Sequence, residues 1–451
     1  MAEEARIAEG YKGQRSRLAR GRYRLDVPDS PLLERAQAWI LEHSVEHLYG
    51  PETVDYGTDE IVVLVLLRNG RPYIKAFMEH YASMGVKHAV FLDNGSTDGT
   101  VEALKGYDNV TVLRSMLPYK RYNVAMKRYL IERFGRGRWT LSVDMDELFD
   151  YPYSDVVSLK ALLGYLSANS YTAVVAQMLD MFPERLLSED NPLVGDEPLK
   201  ERYRFYDISG VRARSYHDIG DIGNVLANEE IRILWGGVHR RLFGVGPLLT
   251  KHPLLFLDEE LRPMDLSDHW AGNARVADFT GVLLHYKFVN SMYGRVRREI
   301  DERRDLSLHG KYDQYLKVLE QTPSLLMKND TSQELTSVNE LVGTRFVTVS
   351  RQYMRFVESE EQRSAHYSEE SRSERLLGAF LNARAEVATL AEELEITQEH
   401  LRAIRSSRSW KVLTALGRVK AGVGGVLGRL RASILRRNPA EQAAPSERPM
   451  R

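Results

Sequence analysis

From Glu60 onwards apolar runs alternate with amphipathic stretches. Ile61-Val62-Val63-Leu64-Val65-Leu66-Leu67 is a continuous apolar run closed by Arg68-Asn69-Gly70, the pattern of a strand buried on both faces of a parallel sheet. A helix over about Pro72 to Met84 follows, then a second run, Ala89-Val90-Phe91-Leu92, stopping at Asp93. Together these make a β-α-β unit. Further strands are predicted at Val110–Leu113 and Trp139–Val143, with a helix near Tyr122 to Phe134 between them. This alternation predicts an α/β fold with a doubly wound, mostly parallel sheet. Between Ser158 and Phe288 the pattern is mixed: a helix near Leu159 to Ser167, strands near Ala173 to Gln177 and Ile231 to Leu234, and Gly- and Pro-rich loops.

The two ends read differently. Residues 1–58 combine six Lys/Arg and no acid between Lys12 and Arg24 with a helical pattern around Leu32 to Leu48, and are expected to be an N-terminal extension to a catalytic domain over 59–300. After Tyr293 the chain is predicted to be mostly helical and highly charged, with a helical segment over 301–372. Leu376, Phe380, Ala383, Val387, Leu390, Leu394, Thr397, Leu401 and Ile404 recur at 3-4 spacing, which predicts a coiled coil over 373–405 and offers a homo-oligomer contact. A basic amphipathic tail follows over 406–438. Across 401–437 there are ten Lys/Arg and no Asp/Glu, interleaved with Trp410, Val412, Leu413, Leu416, Val426, Leu427 and Leu430. That mixture suits a solvated helix or an interfacial helix on anionic lipid better than an aromatic platform for nucleic acid. Residues 439–451 are expected to be disordered.

Composition narrows the function classes. A chain of 451 residues exceeds one average domain. With Lys+Arg 62 against Asp+Glu 63, the whole protein lacks the electrostatic footprint of a nucleic-acid binder. The sequence has no cysteine, which excludes disulfides, thiolate nucleophiles and Cys-based metal sites, so any metal takes oxygen or nitrogen ligands. The N-terminal Met-Ala-Glu-Glu-Ala-Arg has no basic region followed by an apolar stretch, and no run approaches the roughly 18 apolar residues of a spanning helix. The expected location is cytoplasmic, peripheral on the inner face of the membrane if the basic tail binds lipid.

Three constellations carry candidate chemistry. Asp93-Asn94-Gly95-Ser96-Thr97-Asp98-Gly99-Thr100 directly follows a buried strand, at the sheet edge where open α/β folds bind ligands. It reads equally as a turn shaped by its Asx and Gly residues. Asp144-x-Asp146 follows the strand at Trp139–Val143. Chance alone supplies about one such pair in a chain of this composition, but period-2 geometry at a strand end would point both carboxylates the same way. Two such carboxylates suit Mn²⁺ or Mg²⁺ and diphosphate oxygens. In Leu283-Leu284-His285-Tyr286-Lys287-Phe288, His285 is either a further metal ligand or a core histidine. Lys287 lies on the same side if the segment is extended, and would there meet phosphate charge.

The order and spacing of these motifs resemble family 2 glycosyltransferases of the GT-A fold, in the bacterial branch that carries a short Arg-Asn loop, Asp-Asn-Gly-Ser-Thr-Asp-Gly-Thr, Asp-x-Asp-Glu and a later His-Tyr-Lys-Phe. The match spans about 60 to 300. The resemblance implies a nucleotide-sugar donor held by Arg68, Asn69, Asp93, Asn94, Asp98, Asp144 and Lys287, with Asp93 near the base and Asp144 near the ribose. It implies Mn²⁺ or Mg²⁺ on Asp144, Asp146 and His285, and a carbohydrate or glycolipid acceptor of cell-envelope polysaccharide biosynthesis. Ser406-Ser407-Arg408-Ser409-Trp410-Lys411-Val412-Leu413-Thr414 similarly looks like a tail often appended to bacterial envelope glycosyltransferases. Gly70 departs from the family, which often has an acidic residue there.

Transfer with inversion needs a base for the acceptor hydroxyl. Asp268, in Ser267-Asp268-His269-Trp270, and Glu230 are the candidates by position. Trp235, His239 and His269 are the candidate acceptor contacts, Trp235 by stacking on a sugar. Rival readings are a phosphatase of the haloacid-dehalogenase type, which expects Thr or Val where Leu148 stands, and a glycoside hydrolase. A third is a catalytically degenerate, transferase-like scaffold, suggested by Gly70 and the missing obvious base.

Overall fold

The computed structural model describes residues 31–184, 198–220, 222–264, 267–289, 292–301, 311–322, 325–363 and 380–387, with single positions at 378, 390, 394 and 398. Helix α1 (Pro31–Ser44) leads into β1 (Glu46–Tyr49) and β2 (Ile61–Leu67). A single 3-10 turn then opens α2 (Ile74–Ser83), followed by β3 (His88–Asp93), the short α3 (Thr100–Leu104), β4 (Val110–Arg114), α4 (Tyr119–Phe134), β5 (Trp139–Val143) and β6 (Glu147–Asp150). Next come α5 (Leu159–Ala168), β7 (Ala173–Asp180), α6 (Leu199–Arg202), β8 (Phe205–Tyr206), β9 (Arg212–Ser215), β10 (Val225–Leu226) and β11 (Arg232–Trp235). Then α7 (Gly237–Phe243), β12 (Thr250–Phe256), β13 (Arg275–His285), α8 (Met292–Asp301), α9 (Lys311–Gln321), β14 (Gln333–Glu334) and α10 (Arg351–Arg363) follow, with further 3-10 turns at Tyr216–Ile219 and Val338–Thr344.

Among the described residues, ten strands form one sheet in the order β1-β4-β3-β2-β5-β12-β7-β13-β10, with β6 paired to β13. β4, β3, β2 and β5 are mutually parallel, as are β7, β13 and β10, whereas β1, β6 and β12 run against their neighbours. The fold is therefore α/β with a mixed, mostly parallel sheet. β11 lies outside it, paired with β9, and β8 pairs with β14.

The uninterrupted apolar run of β2 is explained by two cores. Ile61, Val63, Val65 and Leu67 enter one with residues of α2, α3 and α5. Val62, Leu64 and Leu66 enter the other with residues of α1 and α4. Alternate side chains of a strand point to opposite faces, and each fully buried Val or Leu contributes about 1.5–3 kcal/mol as an upper estimate. Helix α5 starts where Ser158 Oγ accepts from the Ala161 N–H at 3.2 Å, a side-chain cap on an otherwise unbonded donor.

Residues 31–58 are built into this architecture. β1 pairs with β4, Leu41 of α1 is buried, and Glu34 pairs with Arg128 of α4. The chain divides after Asn382 into two units. In the second, Val387, Leu390 and Leu394 are helical and exposed. Of the expected coiled coil only 378, 380–387, 390, 394 and 398 are described; its other positions, the basic tail at 406–438, the last segment at 439–451 and the basic stretch Lys12 to Arg24 lie outside the described residues. Among the described residues, no helix is long and apolar enough to cross a membrane.

Candidate functional site

The topology gathers one edge of the sheet. Leu67 of β2 is level with Asp93 of β3, and Val65 with Val143 of β5. β12 runs against both β5 and β7, so β7 and β13 point the same way as β5. Their last residues, Asp180 and His285, are register partners, and His285 also faces Glu147 of β6. The loops after β2, β3, β5, β7 and β13 thus open on the edge where ligands bind in open α/β sheets.

Two of these loops are laced together. The Asn69 N–H donates to Ser96 Oγ at 2.8 Å, and the Thr97 N–H to Asn69 Oδ1 at 2.8 Å. Arg71 N–H donates to Asp98 Oδ2 at 3.2 Å, and Asp98 Oδ1 accepts from Thr100. Asn69 adopts a left-handed conformation, φ 57°, which Asn tolerates better than most residues. Asp93 is enclosed: its carboxylate accepts from Gly95 N–H, Ser96 N–H and Arg114 Nε. Asn94 Nδ2 donates to the carbonyls of Ser115 and Leu117. Both side chains therefore shape the loop, while Arg68, Asn69, Thr97 and Asp98 are exposed.

Asp144-Met145-Asp146 is a turn between β5 and β6, closed by Glu147 N–H on Asp144 O at 3.0 Å. This corrects the strand-end expectation, since at a turn the period-2 rule lapses and the two carboxylates diverge. Asp144 Oδ1 lies 2.8 Å from Lys127 Nζ and Oδ2 2.8 Å from Lys251 Nζ. Lys127 also reaches Asp268 Oδ2 at 2.8 Å, and Lys251 reaches Glu147 Oε1 at 2.5 Å. Glu147 Oε2 accepts from the Asp144 N–H. Burial alone would raise the Asp144 and Asp268 carboxyls. For Asp144 the two ammonium groups outweigh burial, for Asp268 Lys127 leads with help from His269, and both stay well below the usual range. Burial wins at Glu147, whose carboxyl is pushed up. Gly70 abuts this turn, and a Cβ there would stand 2.9 Å from Met145 Cγ, so the departure at Gly70 accompanies close approach of the first loop to the turn.

Asp146 turns instead toward β13. Its Oδ2 is 3.7 Å from His285 Nε2, and its backbone oxygen accepts from Tyr286 N–H at 2.8 Å. Burial opposes ionisation of Asp146, but His285 and Lys287 more than compensate and depress its carboxyl. His285 Nδ1 lies 2.7 Å from Asp180 Oδ1. Burial would lower the His285 ring, yet Asp146 and Asp180 carry it up to about 9. Lys287 sits in a turn beyond β13, not in the extended segment expected.

Structure therefore brings together Asp144, Asp146, Asp268, His285 and Lys287. His269 belongs to the same neighbourhood: burial and then Lys251 push its ring down to about 4, and Nδ1 contacts Thr250 O at 3.2 Å. Glu230 sits on the exposed turn before β11, its N–H on Asn228 Oδ1. Trp235 ends β11 half-buried, with the Arg214 guanidinium 4.7 Å over its ring. His239 is buried, with Nδ1 2.9 Å from Tyr315 OH and Nε2 3.5 Å from Asp180 Oδ1. It faces inward, which does not fit the acceptor contact expected of it.

A carboxylate oxygen and an imidazole nitrogen side by side suit Mn²⁺ better than Mg²⁺, which seldom takes nitrogen. The pair fits a cation completed by diphosphate oxygens and water. Asp144 fits less well as a third ligand because two lysines occupy its oxygens. Among the described residues no group of three or more His, Asp or Glu side chains forms a cation cluster.

Sequence reasoning missed Lys127, Lys251, Glu147 and Asp180. Lys127 had a signal: it takes an apolar place on the buried face of α4 between Asn123, Leu130 and Phe134. Asp180 had one too, as an acid closing the apolar run of β7. No family model matches the chain, and no curated protein matches it.

Proposed function

We propose that the protein is a metal-dependent glycosyltransferase of the GT-A type, moving a sugar from a nucleoside-diphosphate donor to a carbohydrate or glycolipid acceptor with inversion. The observation that carries this reading is the meeting of Asp146 and His285, 3.7 Å apart, beside two laced loops on the carboxyl edge of a mostly parallel sheet. In this reading Asp146 and His285 hold the cation, which supplies electrostatic stabilisation of the departing diphosphate. Lys287, whose charge already acts on Asp146, adds a second positive charge on the leaving-group side. Lys127 and Lys251 orient Asp144 toward the donor ribose.

For the proton of the acceptor hydroxyl, Asp268 is favoured over Glu230 because Lys127 ties it to Asp144 and keeps it ionised. The same contact lowers its basicity. The test is nucleotide release from UDP-, GDP-, dTDP- and CMP-sugars with and without Mn²⁺. One donor should turn over only with metal, and Asp146→Ala should abolish that stimulation while the circular dichroism stays unchanged. Release that is indifferent to metal, or survives in Asp146→Ala, removes the proposal. Donor binding without turnover would favour the scaffold reading.

A further inference from the structure

Behind His285 lies a buried chain of polar groups that the transfer reaction does not itself require. Asp180 Oδ1 is 2.7 Å from His285 Nδ1 and 3.5 Å from His239 Nε2, and His239 Nδ1 is 2.9 Å from the Tyr315 hydroxyl. Four elements supply it: the ends of β7 and β13 in register, α7, and behind them α9 with Tyr315. Asp180 and His239 are both nearly sealed from water. Asp180 Oδ2 is buried without a hydrogen-bond partner among the described residues.

A carboxylate only accepts hydrogen bonds, so the proton between Asp180 and His285 belongs to Nδ1. In the neutral ring that leaves the Nε2 lone pair directed to the side of Asp146. An apolar residue of similar size would fill the place of Asp180 without leaving an oxygen unbonded, but it could not fix the ring. We infer that Asp180 is a positioning residue, which sets the tautomer and orientation of His285 so that Nε2 faces the cation beside Asp146, while His239 and Tyr315 hold Asp180 in place. A carboxylate behind a metal-binding histidine acts in this way generally, and its removal weakens metal binding about 10–100-fold. The inference rests on the metal-dependent reading proposed above.

The experiment is Mn²⁺ binding to the full chain, with free Mn²⁺ read by electron paramagnetic resonance. It is joined to ¹⁵N signals of the His285 ring, assigned by comparison with His285→Gln. The expected results are that Asp180→Ala binds Mn²⁺ about 10–100-fold more weakly, and that Asp180→Asn, whose amide oxygen still accepts from Nδ1–H, loses less. In the metal-free Asp180→Asn protein, read above pH 9 where the His285 ring, raised to about 9 in the unaltered chain, is neutral, the ring should show mixed tautomers, because the amide also donates. Affinity in a folded Asp180→Ala equal to that of the unaltered chain overturns the inference and leaves the functional proposal standing. If Asp180→Ala does not fold, Asp180→Asn decides, and unchanged ring signals there overturn it. Failure of the unaltered chain to bind Mn²⁺ overturns the metal reading itself, and this inference with it.

Discussion

Lys251 carries a full charge at a position only 4% exposed, and it is tolerable there because Asp144 and Glu147 both bond to it. Removing one partner of a buried ion pair costs about 3–5 kcal/mol, since the other is left charged and dry. Lys251→Met keeps the length of the side chain and deletes the charge, so its unfolding free energy in urea should fall by that amount, lowering the midpoint at an unchanged slope. Glu147 is already pushed upward by burial and would respond by binding a proton. The loss should therefore be smaller at pH 5 than at pH 8. An unaltered midpoint at both pH values would mean that the lysine is not paired as described. Lys127 stands between Asp144 and Asp268 in the same way, so the two lysines neutralise part of the acidic edge.

At the scale of elements, histidines fasten helices to strands. His80 of α2 donates from Nε2 to the carbonyl of Phe149 in β6 at 2.7 Å and accepts at Nδ1 from Lys200 of α6 at 3.0 Å. His252 of β12 meets the Tyr216 hydroxyl at 2.7 Å. Burial first, joined at His80 by the Lys200 charge, pushes both rings down to about 4 from an ordinary 6.5. In the unfolded chain these rings take up protons near pH 6.5, while in the folded chain they do not until about pH 4. Their contribution to stability is complete above pH 6.5 and is lost as pH falls toward 4, with a slope of about 1.4 kcal/mol per pH unit for each ring. Urea midpoints between pH 7.5 and 4.5 should show this decline, and His80→Gln should remove one proton's share of the slope. An identical slope in that variant would contradict the buried, neutral state of His80.

Strand assignment at the same scale shows where sequence patterns fall short. β2 and β3 are legible because each has an apolar run filling both faces, and β4 and β5 because apolar residues recur at alternate positions. β12 contains Lys251, His252 and Pro253, and β13 contains Asp278 and Gly281, residues that interrupt an apolar strand pattern. Three of them have a long-range reason. Lys251 answers Asp144 and Glu147, Asp278 accepts from the Tyr165 hydroxyl at 2.7 Å, and a Cβ at Gly281 would press to 2.7 Å from the Phe149 ring on β6.

On the scale of the whole molecule, every candidate site residue lies in the first of the two units, which ends at Asn382. A chain truncated after Asn382 should keep a single cooperative unfolding transition and the Mn²⁺ affinity of the full chain. Calorimetry and metal titration check this, and a broad transition or lost affinity would show that the second unit supports the fold or the site.

Local chemistry was written in the sequence: which runs are buried strands, where the loops fall, and that acids and an imidazole stand at strand ends. Hydrophobic period and turn residues act over a few positions, so one dimension suffices to read them. Tertiary structure alone decided which polar groups meet. The direction of β12, and with it the shared orientation of β5, β7 and β13, brings Lys251 to Asp144 across 107 residues and His285 to Asp180 across 105. Strand order arises from packing two cores at once, and no local pattern encodes it.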